Sequence, residues 1–332
     1  MAGRVVAVLG AGAWGTALAN LAARGGEDAR VLLYARDGEH VAEMAATGVN
    51  ARRLPGVPLL SNVAPTADLA AAAAADVILA VVPTQALRET LAAIAPLVES
   101  APPVVVCAKG IERGAGRFVT EIAGEVMPRS PAAILSGPSF ARDVARGLPT
   151  AVTLAARDGV IAATLAAMLA GPTFRVYSSS DVRGVEIGGA AKNVLAIASG
   201  VAAGRGLGAS AGAALVARGF AELSRFGRAY DAEPATLAGL SGLGDLVLTC
   251  GSAMSRNFSF GFALGEGASV EEATQKVGLA EGAFTCGIML DLARAAEVDM
   301  PISSAVDAVL AERVSVDEAI AELLARPSKP EG

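Results

Sequence analysis

The sequence predicts an α/β dinucleotide-binding domain, a Rossmann-like doubly wound sheet, over residues 1–180, followed by an all-α domain over residues 181–332. Three observations predict this. A glycine turn with the spacing Gly-x-Gly-x-x-Gly, at Gly10, Gly12 and Gly15, directly follows the first apolar run. Strand-length apolar runs then alternate with helical stretches through residue 155. After Asp181 the strand pattern stops, and Ala- and Leu-rich segments of helical period run on to the end.

Residues 4–9 are a continuous apolar strand, and residues 16–23 are good helix formers, so the glycines lie between a strand and a helix. In that setting Gly10 permits the tight turn, Gly12 lets backbone approach a pyrophosphate, and Gly15 allows close helix–strand packing. The helix N-terminus then offers its N–H groups to the anion. Trp14, inside the turn, reads as helix-face packing beside the phosphates. The second strand, residues 29–34, ends in Ala35-Arg36-Asp37, close to where an acidic group would bind a ribose diol. Arg36 arrives first and can hold a 2′-phosphate, so NADPH is expected as cofactor, with Asp37 leaving NADH open. The bland alternative for Arg36 is a solvated loop charge. Arg52 and Arg53 add positive charge nearby.

Residues 76–83 read as a buried parallel strand with a helix from Thr84, and residues 104–110 as another strand ending in Lys109. A basic residue at the carboxyl end of a parallel strand points to the crevice where ligands bind, which makes Lys109 a substrate or cofactor candidate. Strands at residues 132–135 and 151–155 bracket Ser136-Gly137-Pro138-Ser139-Phe140-Ala141. That turn either lines a ligand through its N–H groups and the Ser139 hydroxyl or is purely structural.

The 332 residues, 53% hydrophobic and 18% charged, suffice for two medium domains with sizeable cores. A net charge of -6 with no basic block excludes the electrostatic footprint of a nucleic-acid binder. Mean hydropathy is high at +0.50. Even so, the apolar runs at residues 69–82 and 160–170 are short or broken by Asp76, so no membrane partner is expected. No signal peptide is read at the N-terminus, and the expected location is cytoplasmic. Cys107, Cys250 and Cys286 are widely spaced without a CxxC, which argues for reduced thiols and against a metal site. His40 is the one histidine, so other side chains must carry proton transfer.

In the second half, residues 186–194 place Lys192 among Gly188, Gly189, Ala190 and Ala191 in what reads as a buried helix. A desolvated lysine suits a proton donor or acceptor touching a ligand; a snorkelling lysine at the edge of a core helix is the alternative. Asp245, between tight glycines in Leu240-Ser241-Gly242-Leu243-Gly244-Asp245, is either its partner or a helix N-cap. Ser255-Arg256-Asn257 supplies a hydroxyl, a planar cation and an amide, a set suited to a phosphate monoester or to an ordinary exposed turn. Glu281 is a further cofactor candidate, and Cys250, without a His partner, is not expected to be a nucleophile.

The segments Gly-Ala-Gly-Ala-Trp-Gly-Thr-Ala-Leu at residues 10–18, Val-Pro-Thr-Gln-Ala-Leu-Arg at 82–88, Leu-Ser-Gly-Pro-Ser-Phe-Ala at 135–141, Gly-Gly-Ala-Ala-Lys-Asn at 188–193, Gly-Leu-Ser-Gly-Leu-Gly-Asp at 239–245 and Ser-Arg-Asn at 255–257 carry a resemblance. Nearly end to end, the chain resembles the bacterial NAD(P)-dependent glycerol-3-phosphate dehydrogenase family. The resemblance implies reversible reduction of dihydroxyacetone phosphate to sn-glycerol 3-phosphate, feeding glycerophospholipid synthesis, by a soluble two-domain enzyme that is usually a homodimer. By position, Lys192 resembles the family's proton acceptor, and Lys109, Gly137, Ser139, Asp245, Ser255, Arg256 and Asn257 its substrate contacts. Trp14, Arg36, Lys109, Ala141, Arg256, Leu279 and Glu281 match its cofactor positions. Ala13 stands where the family commonly has a polar residue in the glycine loop, and Arg53 where it is often aromatic. A related two-domain reductase of 2-keto or 3-hydroxy acids, such as a ketopantoate enzyme, is the alternative, and the Ser-Arg-Asn cluster argues against it. A non-catalytic dinucleotide sensor would need the glycine loop but not Lys192, Asp245 or Arg256.

Overall fold

Runs of Val, Leu, Ile and Ala with no alternating polar residue form strands buried on both faces, and that is how the sheet is built. In the computed structural model, which describes residues 3–25, 28–278 and 280–327, the strands are β1 (Val5–Leu9), β2 (Arg30–Tyr34), β3 (Val63–Thr66), β4 (Val77–Ala80), β5 (Val104–Val106), β6 (Ala132–Ser136), β7 (Thr150–Ala156) and β8 (Phe174–Ser179). They form one sheet of order β3-β2-β1-β4-β5-β6-β7-β8. Successive side chains go to opposite faces. Val6 and Val8 join one core layer with Leu33, Leu79 and Leu135, while Ala7 and Leu9 join the other with Ile78, Val106 and Ile134.

The helices of this half are α1 (Ala13–Ala23), α2 (Gly38–Thr47), α3 (Leu69–Ala73), α4 (Thr84–Ile94), α5 (Val119–Val126), α6 (Ala141–Ala145) and α7 (Gly159–Leu169). Asp37, Asp68 and Asp158 begin α2, α3 and α7 by accepting hydrogen bonds from backbone N–H groups of the first turn. Strand order reverses between β1 and β4, so the glycine turn after β1 lies at the switch point where such sheets bind ligands.

Two strands, β3 and β8, lie outside the runs read from sequence; both are edge strands with partly polar patterns. One pairing also departs from a fully parallel sheet. β6 and β7 are antiparallel, with Ser136 opposite Thr153. Their connection holds only the five-residue α6, whose Val144 and Ala145 pack into the same core layer as α1. It returns from the end of β6 that it left, without crossing the sheet.

From residue 182 onward the named elements are helices: α8 (Val182–Gly204), α9 (Gly208–Ala229), α10 (Pro234–Leu237), α11 (Asp245–Cys250), α12 (Arg256–Gly265), α13 (Val270–Val277), α14 (Glu281–Ala295), α15 (Pro301–Leu310) and α16 (Val316–Leu324). The chain divides into two compact units, residues 1–112 with 117–186 and residues 113–116 with 187–332. The division falls within α8. Its first turns are tied into the first unit, where buried Glu186 accepts from the Thr120 N–H (2.8 Å) and hydroxyl (2.7 Å) at the start of α5. Burial pushes the Glu186 carboxyl above the ordinary glutamate range.

By length and composition α8 passes as a membrane-spanning helix, yet 83% of its apolar window is buried inside the protein, which makes it a core helix. Its small residues let backbones meet. Gly200 and Gly204 of α8 face Gly261 and Gly265 of α12 so closely that a Cβ on Gly200 would lie 2.0 Å from the Phe258 carbonyl oxygen. Buried Leu195, Leu223, Phe226, Phe260 and Met289 belong to the core of this unit.

Candidate functional site

On the first unit the glycine turn has the geometry its spacing implies. Gly10 has φ 116°, and a Cβ there would lie 2.5 Å from the Val81 carbonyl oxygen. A Cβ on Gly15 would fall 1.8 Å from the Gly10 carbonyl oxygen, so Gly15 is required by packing. Gly12 differs. It is extended, with φ -75° and ψ 179°, and a Cβ there would meet nothing within 4 Å. Nothing within 4 Å demands glycine at this position, and the open space at the head of α1 leaves room for a dinucleotide pyrophosphate to approach the backbone. Ala13 and Trp14 open α1, with Trp14 half-buried against the core layer that α1 covers.

Arg36 is exposed just beyond β2. Asp37, the alternative ribose ligand, is already engaged. Its carboxylate caps α2 through the Glu39 and His40 N–H groups and pairs with Arg52 at 3.0 Å. The His40 N–H bond, with that of Glu39 and the Arg52 charge, holds Asp37 below the usual carboxylate range. Arg52 also pairs with Glu43 at 2.6 Å. Arg36 and Arg53 have no ion pair among the described residues.

Lys109 follows β5 and Gly137 follows β6, its sheet neighbour. The Lys109 Nζ donates to the Gly137 carbonyl at 3.0 Å, and the Ser139 hydroxyl donates to the same oxygen at 3.0 Å. Gly137 has φ 145°, and a Cβ there would lie 2.8 Å from the Val152 Cα, so the turn needs glycine. Ala141 is the first residue of α6. The loop carrying Lys109 is held from α4. Gln85 donates to the Ile111 carbonyl (2.9 Å), and Arg88 grips both oxygens of Glu112 at 2.6 and 2.9 Å.

On the second unit Lys192 and Asp245 form one buried ion pair. The Lys192 Nζ lies 2.7 Å from Asp245 Oδ1 and 3.0 Å from the Thr249 hydroxyl, with Lys192 7% and Asp245 1% exposed. The lysine therefore does not snorkel. Asp245 is the first residue of α11, and Thr249 stands one turn on, its hydroxyl also donating to Asp245 Oδ1 at 3.3 Å. Gly188, one turn before Lys192, makes this meeting possible, because a Cβ there would lie 2.5 Å from the Ser241 carbonyl oxygen.

Ser255 N-caps α12 by accepting from the Phe258 N–H at 3.2 Å, so the Ser-Arg-Asn segment is a helix N-terminus. Arg256 is exposed, and the N–H groups of Arg256 and Asn257 stand where helices bind anions. Asn257 is buried and cross-links its unit. Its Nδ2 donates to Asn193 Oδ1 (3.0 Å), and its Oδ1 accepts from the Gly282 N–H (2.9 Å). Glu281, half-buried, begins α14 beside this cross-link. Leu279, expected as a cofactor contact, lies outside the described residues.

Both halves match known proteins. The profile for the N-terminus of NAD-dependent glycerol-3-phosphate dehydrogenase matches residues 5–162, and that for its C-terminus matches residues 181–321. The chain belongs to the NAD-dependent glycerol-3-phosphate dehydrogenase family. It is 66% identical over 328 residues to glycerol-3-phosphate dehydrogenase [NAD(P)+] of Beijerinckia indica, covering 99% of this chain and 98% of the relative. It is 60% identical over 326 residues to the same enzyme of Azorhizobium caulinodans, covering 98% of each. A crystal structure of glycerol-3-phosphate dehydrogenase from Coxiella burnetii superposes with a TM-score of 0.93 at 40% identity, covering 98% of this chain and 100% of that one. A ketopantoate reductase from Ralstonia eutropha, at 20% identity and a TM-score of 0.63, covers 96% of this chain and 100% of that one and shares the fold alone.

Within this glycerol-3-phosphate dehydrogenase chain, folding brings together Lys192 with Asp245, and Lys109 with Gly137 and Ser139. Sequence reasoning missed Thr249. Its signal was available, since Thr249 stands four residues after Asp245 and shares its helix face. Asn193 and Asn50 were passed over because an amide in a sequence does not announce a partner far along the chain.

Proposed function

We propose that the chain reversibly reduces dihydroxyacetone phosphate to sn-glycerol 3-phosphate with NADPH or NADH. The observation that carries this reading is the buried Lys192–Asp245 pair. Taking two charges out of water costs several kcal/mol per ion, and a helix of Gly and Ala would be as well served by an apolar residue, so the pair is explained by chemistry. Lys192 holds the proton exchanged with the C2 oxygen, and its charge stabilises the alkoxide as it develops. Asp245 and Thr249 fix the ammonium's position. Lys109 orients the substrate, with Gly137 and Ser139 beside it. Arg256, Ser255 and Asn257, at a helix N-terminus, suit the phosphate. The turn at Gly10, Gly12 and Gly15 holds the dinucleotide, and Arg36 favours the 2′-phosphate of NADPH. Trp14, Ala141, Leu279 and Glu281 complete the cofactor set. The bound nicotinamide supplies the hydride. A cytoplasmic homodimer belongs to the same proposal, and light scattering of the purified protein reads the assembly.

The test is NADPH and NADH oxidation followed by absorbance, with dihydroxyacetone phosphate, ketopantoate and unphosphorylated dihydroxyacetone side by side. Turnover with the first alone is expected, and a preference for ketopantoate overturns the reading. Lys192→Ala should lower kcat by about 10²- to 10⁴-fold while the protein stays folded. If it keeps most of its turnover, the proton role is wrong. Arg256→Ala should raise KM for the triose phosphate steeply, and an unchanged KM removes the phosphate assignment.

A further inference from the structure

The one histidine of the chain belongs to a buried polar chain that ends on the glycine turn. His40 Nε2 lies 2.9 Å from Asn50 Oδ1, and Asn50 Nδ2 lies 3.0 Å from the Ala11 carbonyl oxygen and 2.7 Å from Thr16 Oγ1. The Thr16 hydroxyl lies 2.9 Å from the Gly12 carbonyl oxygen. His40 is 7% exposed, and Asn50 and Thr16 are 0% exposed.

Donor and acceptor inventory fixes every direction in this chain. The Ala11 carbonyl can only accept, so Asn50 presents its NH2 to the turn, and its two hydrogens serve Ala11 and Thr16. The Thr16 hydroxyl, accepting from Asn50, gives its own hydrogen to the Gly12 carbonyl. Asn50 Oδ1 is left to accept, so His40 carries a hydrogen on Nε2. All four bonds point toward the turn.

In a trans peptide the C=O and N–H point in opposite directions. Drawing the Ala11 carbonyl toward buried Asn50 turns the Gly12 N–H the other way, to the side where a Cβ on Gly12 meets open space. The Gly12 carbonyl, held by the Thr16 hydroxyl and by the Thr16 N–H at 2.9 Å, orients the Ala13 N–H in the same manner. Asn50 also begins the turn that carries the basic pair, accepting through its carbonyl from Arg53 (3.3 Å) and Leu54 (2.8 Å). One buried amide thus ties the glycine turn to the Arg52–Arg53 segment.

We propose that Asn50, oriented by His40 and relayed through Thr16, is a positioning residue that holds two consecutive peptide planes of the glycine turn ready for the cofactor's pyrophosphate. The assignment rests on the cofactor reading above. Fixing those planes before binding removes an ordering cost that would otherwise fall on affinity.

The test uses the full chain and its single tryptophan, Trp14, whose emission reports on the turn itself. Dissociation constants are measured for NADPH and for adenosine 2′-monophosphate, which keeps the adenosine and 2′-phosphate but lacks the pyrophosphate. Asn50→Asp and Thr16→Val should weaken NADPH about tenfold or more and leave adenosine 2′-monophosphate within about twofold. Thr16→Ser, which keeps the hydroxyl, should bind both like the parent, and kcat at saturating NADPH should change less than KM for NADPH. If Asn50→Asp does not fold, Thr16→Val, which keeps the side-chain shape, reads the same link. Equal weakening of both ligands, or no weakening of NADPH, overturns the proposal. A parent protein that binds neither NADPH nor NADH refutes the cofactor reading instead.

Discussion

Gly188→Ala is the smallest change that tests how Lys192, the proposed proton carrier, is placed. The added Cβ would stand 2.5 Å from the Ser241 carbonyl oxygen and 2.9 Å from the Gly242 Cα. Both are backbone atoms, which cannot rotate away as a side chain would. Real Cβ contacts essentially never fall below 3.0 Å, so α8 and this turn must separate by at least 0.5 Å (3.0 less 2.5). Gly188 lies one helical turn from Lys192, and Ser241 four residues before Asp245, so the separation falls on the 2.7 Å Lys192–Asp245 contact. Replacing a helical glycine gains about 0.5–1 kcal/mol, whereas overpacking costs about 1–3 kcal/mol, so a net loss of about 1 kcal/mol is expected. A misplacement of about 1 Å can lower a rate about a hundredfold, so half that distance implies about tenfold in kcat. The assay pairs kcat for dihydroxyacetone phosphate reduction with a urea midpoint. Gly212→Ala is the control. Its Cβ would meet nothing within 4 Å on α9, so stability should rise by about 0.5–1 kcal/mol with kcat unchanged. If Gly188→Ala behaves like Gly212→Ala, the close approach of α8 to the Ser241 turn does not place Lys192.

Asp245→Asn leaves a buried ammonium without its counter-charge and should lower unfolding free energy by about 3–5 kcal/mol, read from denaturant curves; a parental midpoint would contradict the pair's geometry. Arg36→Glu should shift the NADPH to NADH ratio of kcat/KM about tenfold or more toward NADH, and an unmoved ratio removes the 2′-phosphate role. Buried Glu222 accepts from the N–H groups of Ile302 (2.5 Å) and Ser303 (3.1 Å) at the head of α15, and burial raises its pKa above 4.5. The folded state then holds a proton that the unfolded state releases, so this group's contribution falls as pH rises from 4.5 toward the raised value. Glu222→Gln should lack that decline, and parallel stability curves for parent and variant across this range would refute the shift. Burial pushes the thiols of Cys107 to about 12 and Cys250 to about 11, and Cys286 also upward, so an aromatic disulfide reagent should label all three only after denaturation.

The parts of the fold legible in sequence are those with a local physical signature. Continuous apolar runs gave β1, β4 and β5, and the change of period after Asp181 gave the helical second half. The edge strands β3 and β8 carry polar residues and are defined by pairing with β2 and β7, which no local pattern contains. The antiparallel placement of β7 was hidden for the same reason, since direction depends on where a connection lands. In the candidate site, Gly10 and Gly15 could be read because backbone geometry restricts them to glycine, and Lys192 because an ammonium among small residues is conspicuous. Thr249 and Asn50 resemble any other polar residue until their partners are in place.

The sequence by itself determined the kind of residue at each candidate position: a lysine in a helix of Gly and Ala, a carboxylate between glycines, an arginine after the second strand, and a glycine turn opening the first helix. These follow from covalent structure and local sterics, which require no knowledge of distant contacts. Tertiary structure decided the partnerships. Lys192 and Asp245 are 53 residues apart, and Asn50 lies 39 residues from the Ala11 carbonyl it holds. Charge pairing and hydrogen bonding act over about 3 Å, so whether those groups meet is settled only when helices and strands have packed.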